Sequence, residues 1–353
     1  MRVITCEQVS DGHPDKICDQ VADAIVTDCL RHDKKSRVAI ECLIKDAKLI
    51  IAGELTSKHK PDYRALVDAV MERIGREKLS YRVGEPELEI LVREQSADIA
   101  LGVDEGGAGD QGMMYGYATN ETPEMLPIPY AVATKFLIAL KSIGGPYYMA
   151  DAKAQVSYDY DSGRITTFLC SVQHKPEYEP MDFAEDLITL MKYVAEGYGL
   201  NTDFTVMINP TGRFVEGGSF ADCGVTGRKL ACDTYGGVGR IGGGAMSGKD
   251  PTKVDRSGAY IARKIAKDFV REGYCDRCEV QIAYAIGVEE PVSVHVETFG
   301  TEKYEIKNLD QYIVRKYDLT PWGIIMGLGL LNVDFNEVSA YGHFTKALLP
   351  WEK

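Results

Sequence analysis

The stretch Gly236-Gly237-Val238-Gly239-Arg240-Ile241-Gly242-Gly243-Gly244-Ala245-Met246-Ser247-Gly248-Lys249-Asp250-Pro251-Thr252-Lys253-Val254-Asp255-Arg256 decides how this chain is read. Its seven glycines strip side chains from the backbone, so the loop can take positive φ and bring bare N–H groups close to a ligand. Lys249, Lys253 and Arg256 follow among Asp250 and Asp255, a mixture suited to a polyphosphate carried with Mg2+. Two familiar motifs overlap here and neither fits. Gly237-x-Gly239-x-x-Gly242 has dinucleotide-fingerprint spacing, yet Lys229 to Tyr235 before it does not read as a buried parallel strand. Gly243-x4-Gly248-Lys249 has Walker A spacing, yet Asp250 stands where Ser or Thr would meet magnesium. A glycine-rich surface loop without a ligand is the remaining alternative.

Composition narrows the partners. A chain of 353 residues has room for two or three domains. Its net charge of -13, with no broad basic stripe, argues against nucleic acid, and the basic residues near the glycines point to a small anion instead. No run is long enough to cross a bilayer, and Met1-Arg2-Val3-Ile4-Thr5-Cys6 begins as folded protein, so a cytoplasmic location without membrane contact is expected. Nine cysteines in no regular framework are expected to be reduced thiols. Cys275-Asp276-Arg277-Cys278 lacks the second pair or histidines of a zinc site and reads as structural.

Along the chain, a polar start runs into a helix at Pro14, with Ile17, Val21, Ile25 and Cys29 spaced by four. His13, Asp15 and Lys16 then lie at its N-terminus, either as a plain polar cap or as an anion-plus-metal site. Val38 to Glu41 and Leu49 to Leu55 read as strands joined through Lys45-Asp46-Ala47-Lys48. Glu41 and Glu54 interrupt them and face either solvent or a cation. Ala154 to Tyr160 and Ile165 to Val172 alternate as a hairpin. Asp151-Ala152-Lys153 before it is an exposed corner or a lysine aimed into a cleft. Helices are expected within 126–143, 183–198, 254–270 and near 309–317. Recurrent hairpins beside single amphipathic helices predict α+β layers, not a continuous doubly wound sheet.

Gly12-His13-Pro14-Asp15-Lys16, Gly107-Ala108-Gly109-Asp110-Gln111-Gly112, Asn209-Pro210-Thr211-Gly212-Arg213-Phe214, Asp233-Thr234-Tyr235-Gly236-Gly237 and the glycine-rich stretch occur in order over nearly the whole chain. On these motifs the sequence resembles the bacterial-type S-adenosylmethionine synthase (methionine adenosyltransferase) family. The resemblance implies three similar α+β domains about a pseudo-threefold axis, at 1–97, 108–215 and 217–353, with 98–107 as an active-site lid or linker. It implies a homodimeric core, assembled as a dimer or tetramer, with active sites between subunits. This sequence departs from the family at Asp11, where glutamate is usual, at Cys6 and Gln8, at Val132, which follows Tyr130-Ala131 in place of histidine, at Met246, and in a shorter lid.

The implied reaction joins ATP and L-methionine into S-adenosylmethionine by attack of the thioether sulfur on C5′, followed by triphosphate hydrolysis to phosphate and diphosphate. Sulfur carries no proton, so the first step needs alignment and charge stabilisation but no general base. By resemblance His13, Lys153, Arg228, Lys249 and Lys253 are catalytic. ATP falls to His13, Asp110, Asp151, Lys153, Arg213, Phe214, Asp222, Arg228, Lys229, Ala245 and Lys249. Methionine falls to Glu54, Gln95, Asp222 and Lys253. Asp15 and Asp255 are the implied magnesium ligands and Glu41 the potassium ligand, with two Mg2+ per active site and one K+ per subunit. An adenosyl transferase acting on a methionine analogue, and a catalytically silent nucleotide sensor, are the alternative readings.

Overall fold

In strand β2 (Arg37–Lys45) Val38, Ile40, Cys42 and Ile44 are buried while Glu41 and Leu43 face outward, the alternation that a half-buried sheet requires. A tight turn with Asp46 at φ 50 returns the chain as β3 (Lys48–Thr56), in register from Arg37↔Thr56 to Lys45↔Lys48. Strand β4 (Glu87–Arg93) joins β3 in parallel, and the two-residue β9 (Gly224–Val225) closes the other side, giving the order β4-β3-β2-β9. This computed structural model describes residues 2–79, 86–94, 107–304 and 306–353.

A second sheet runs β1 (Val3–Val9), β6 (Tyr148–Asp159), β7 (Arg164–His174) and β8 (Thr205–Ile208). A third runs β11 (Ser293–Glu297), β10 (Arg277–Tyr284) and β5 (Gly112–Thr119). Each sheet takes one strand from a remote part of the chain: β9 enters the first, β1 the second and β5 the third. Reading the segment before Pro14 as a polar start missed β1. Gln8 disguises that strand, because it is 1% exposed and donates to Tyr130 Oη, Thr134 Oγ1 and the Cys232 carbonyl.

Helices cover one face of each sheet, so the α+β layering expected from the hairpins is the one adopted. Helix α1 (Pro14–His32) and α2 (Tyr63–Ile74) lie on the first sheet, and α3 (Ile128–Ile143) and α4 (Pro180–Gly197) serve the second. On the third lies α5 (Val254–Arg271), followed by α6 (Leu309–Lys316) and α7 (Pro321–Gly327). The predicted stripe of α1 is buried, with Ile17, Val21, Ile25 and Cys29 all at or below 3% exposure. No helix among the described residues is long and apolar enough to cross a membrane.

The C-terminal residues lock α5. Trp351 is fully buried and stacks on Tyr260 at 3.7 Å, and Glu352 bonds Arg263 Nε at 2.8 Å and Lys267 Nζ at 2.9 Å. Arg263 also donates to the carbonyls of Tyr117, Glu124 and Met125, tying α5 to β5 and the turn after it. Removing the carboxylate leaves two buried cations uncompensated. Glu352→Ala is therefore expected to cost about 3–5 kcal/mol in urea unfolding; a loss below about 1 kcal/mol, the range of exposed pairs, would contradict this packing.

Candidate active site

His13 caps α1 through its side chain. Its Nδ1 accepts the Asp15 N–H at 3.2 Å, and Pro14 follows at the first helical position, where the missing N–H costs nothing. Burial, then the neighbouring Lys229, hold the imidazole well below its ordinary range, at about 3. A neutral ring whose Nδ1 accepts must carry its proton on Nε2, so His13 presents one hydrogen-bond donor and no charge.

Around it a first cluster assembles. Asp15 Oδ1 accepts the Val225 N–H at 2.9 Å and lies 3.5 Å from Arg228 Nε, while Oδ2 is 2.7 Å from Lys229 Nζ. On β6, Asp151 and Lys153 share the electrostatic surroundings of His13 and Asp222. Asp151 is 5% exposed; its Oδ2 accepts the Gly218 N–H at 2.8 Å, and its Oδ1 is buried with no hydrogen-bond partner among the described residues. Burial raises this carboxyl to about 6. Lys153 is exposed and has no ion pair among the described residues, which leaves its charge available.

The glycine-rich loop builds a second cluster against the edge of β2. Gly248 has φ +81, and a Cβ there would sit 2.0 Å from the Ile40 carbonyl oxygen; a Cβ on Gly244 would sit 2.0 Å from Asp255 Oδ1. Glycine lets the loop end run beside β2, where Ile40 N–H bonds Gly248 O and Asp250 N–H bonds Val38 O. Lys249 Nζ then pairs with Asp255 Oδ2 at 2.5 Å, and Lys253 Nζ with the buried Asp250 at 2.6 Å. Lys249 and Glu54 flank Ala39 from opposite sides, and Glu41 stands two residues along β2 in the field of Lys249.

What joins the clusters is a part of α1 that apolar spacing does not reveal. Asp15, Asp19 and Asp23, four apart, are all buried, and each accepts a backbone N–H from a remote loop: Val225, Gly227 and Gly248, all at 2.9 Å. Lys16 bonds Asp19 at 2.9 Å and Asp233 at 2.5 Å, and Arg256 pairs with Asp23. The Asp-x3-Asp-x3-Asp spacing is the signal the sequence offers for Asp19 and Asp23, which apolar spacing does not single out; Lys16 and Arg256, read as groups for an anion, are instead paired with these buried aspartates and Asp233. Ala245 lies where this ladder brings the loops together, 2.5 Å from the position a Cβ on Gly227 would take.

Other expected residues are more exposed. Phe214 follows the Asn209 turn, which Asn209 pins to β7 through both the N–H and the carbonyl of Val172; the Phe214 N–H donates to His174 Nε2 at 3.1 Å. Arg213 is exposed, as are Asp110 and Asp222, whose carboxylates accept the next residue's N–H. Gln95 and all of the expected lid except Gly107 fall outside the described residues.

The donor sets suit hard cations. Asp15 and Asp255 offer carboxylate oxygens now paired with Lys229 and Lys249, so a divalent ion would take the lysine's place and release it toward an anion; the unpartnered Asp151 oxygen is a further hard donor.

Comparison with known proteins follows the same residues. The sequence models of the S-adenosylmethionine synthetase N-terminal, central and C-terminal domains match residues 1–97, 105–214 and 216–353. S-adenosylmethionine synthases of Mycoplasma capricolum subsp. capricolum and Mesoplasma florum are each 43% identical to the whole of this chain, over 95% and 97% of their own lengths. A solved structure, an unusual S-adenosylmethionine synthetase from Campylobacter jejuni, superposes with TM-score 0.92 at 34% identity, covering 100% of this chain and 97% of that one.

The neutral His13 has a consequence for stability. Its folded value near 3 lies below the ordinary value of 6.5, so the unfolded chain binds the extra proton between these limits. The contribution is complete above pH 6.5 and is lost as pH falls toward 3, amounting to about 2 kcal/mol by pH 5. His13→Asn, which keeps a capping side chain, should flatten the stability–pH slope over that window, and ring NMR should find His13 neutral at pH 5. A ring titrating near 6.5 in the folded protein would contradict the assignment.

Proposed function

This chain belongs to the S-adenosylmethionine synthetase family, and from that membership we propose that its two charged clusters bind ATP and L-methionine and stabilise the departing triphosphate. The reaction is that of the family: ATP, L-methionine and water give S-adenosylmethionine, phosphate and diphosphate. The observation that carries the site reading is the neutral His13, its Nε2–H without a partner among the described residues, in the field of Lys229 and Lys153 with Arg228 on the neighbouring Asp15. Attack of sulfur on C5′ throws negative charge onto the leaving oxygen. His13 can donate to that oxygen without adding a charge, while the lysines and the arginine fork meet the phosphates.

Asp15 and Asp255 are the proposed ligands for two Mg2+, and Glu41 for one K+; bound there, the ions neutralise phosphate charge in both chemical steps. Exchange of Lys229 and Lys249 from carboxylate to phosphate then accompanies metal binding. Methionine's ammonium is assigned to Glu54 and Asp222, with Gln95 and Lys253 holding its other polar groups. Asp110, Arg213 and Phe214 are assigned to the nucleoside. A cytoplasmic setting accords with nine free cysteines.

The clusters are proposed to belong to different halves of two sites, completed by a second copy of the chain. Arg228 and Lys229 pair with Asp15 inside the first cluster, Lys249 and Lys253 pair with Asp255 and Asp250 inside the second, and the second cluster opens beside an outward sheet face where Leu43 and Leu91 are 38% and 55% exposed. Lys153→Ala should lower kcat/KM for the sulfonium product, read by mass spectrometry with ATP, methionine, Mg2+ and K+, by about a hundredfold. Its melting temperature should barely move, since an exposed unpaired lysine contributes within about 0.5 kcal/mol; matched losses of fold and activity would contradict the role. Unfolding and refolding Lys153→Ala together with Lys249→Ala should restore about a quarter of wild-type activity, because half of the dimers are mixed and each holds one intact site. No recovery from subunits that do exchange would place both lysines in one chain's site.

A further inference from the structure

The end of α1 farthest from His13 carries a second set of metal-ligand side chains that no step above uses. Asp28 and His32 stand four apart and share a helix face, and His59 reaches them from the connection between β3 and α2. His59 Nε2 lies 2.7 Å from Asp28 Oδ2, and His32 Nδ1 lies 3.3 Å from Asp28 Oδ1. The imidazoles stack with centroids 3.9 Å apart, and one ligand atom from each of the three side chains lies within 4.8 Å of the other two.

We propose that Asp28, His32 and His59 form a binding site for a first-row divalent ion of the zinc type, separate from the reaction centre. Two imidazole nitrogens and one carboxylate are borderline donors that favour zinc, cobalt or nickel over magnesium or calcium. Metal–ligand bonds of about 2.0–2.1 Å in a tetrahedron set ligand atoms about 3.3 Å apart; the ligand atoms here lie within 4.8 Å of one another, and because the imidazoles are stacked, one ring has to turn for both nitrogens to face one ion. The third ligand is ordered in advance: the Lys58 N–H donates to Asp33 at 3.0 Å, and the His59 N–H donates to Ser57 Oγ at 3.1 Å. Such ordering removes much of the entropic cost of closing the site. His32 Nδ1 also lies 2.9 Å from the Asp28 carbonyl, a contact that ion binding exchanges, and its side chain is 55% exposed and free to turn. Thirteen residues of helix place Asp28 about 20 Å from Asp15, so neither set shares ligands with the other. Bound there, the ion staples the β3–α2 connection to the end of α1.

The test uses the full chain, stripped of metal and dialysed against Zn2+ in millimolar Mg2+, with uptake measured by mass spectrometry and Co2+ used as a spectroscopic probe. One Zn2+ per chain that survives the Mg2+ competition, and tetrahedral Co2+ absorption, are expected. His32→Gln and His59→Gln should each weaken uptake by about tenfold or more while still turning over ATP and methionine, which establishes that they are folded. Asp15→Asn should keep both the ion and the Co2+ spectrum. Absence of Zn2+ uptake by the wild type, or uptake and spectra unchanged in both histidine variants, would overturn the site and leave a hydrogen-bonded Asp–His–His cluster only.

Discussion

Three carboxylates buried along one helix hold the two charged clusters together. Asp15, Asp19 and Asp23 each give up water to accept a backbone N–H from a loop remote in sequence. An uncompensated buried anion costs several kcal/mol, so these loops cannot leave α1 without exposing that penalty. Lys16 and Arg256 supply the compensating charge from within the protein. The arrangement explains how glycine-rich segments, with few apolar contacts of their own, keep a defined position: their backbones dock on a ladder whose spacing is the helical repeat.

The ladder also distributes charge. At its first rung lie His13 and the 222–229 loop; at its last lies Gly248, beside Lys249 and the start of α5. In both places a lysine already neutralises a carboxylate. Such pairs are suited to exchange, since a polyphosphate arriving with its cations can take the lysine while the metal takes the carboxylate. Little reorganisation is then needed when charge grows on the leaving group, which is what electrostatic catalysis demands. No proton need be removed from sulfur, and the neutral His13 accords with a donor whose role is to steady an oxygen.

Local periodicity made much of the fold legible. The apolar spacing of α1, the Lys45–Lys48 turn and the hairpin of β6 and β7 could be read because each is specified by neighbours in sequence. Strand exchange between sheets could not, since pairing β1 with β6 or β5 with β10 depends on contacts more than a hundred residues apart. Motif order supplied the family, but not the division of the charged residues into two clusters. The polar stripe of α1 went unread because a search for apolar spacing passes over Asp19 and Asp23, although their period matches that of the apolar stripe.

One nucleotide is proposed to be held jointly by the first cluster of one copy and the glycine-loop cluster of another. A crystal structure with a non-hydrolysable ATP analogue, methionine and Mg2+ tests it most directly. The expected result is a triphosphate bounded by His13, Lys153 and Lys229 from one chain and by Lys249 and Asp255 from a second. A nucleotide bound within a single chain, or one lying away from both clusters, would contradict it.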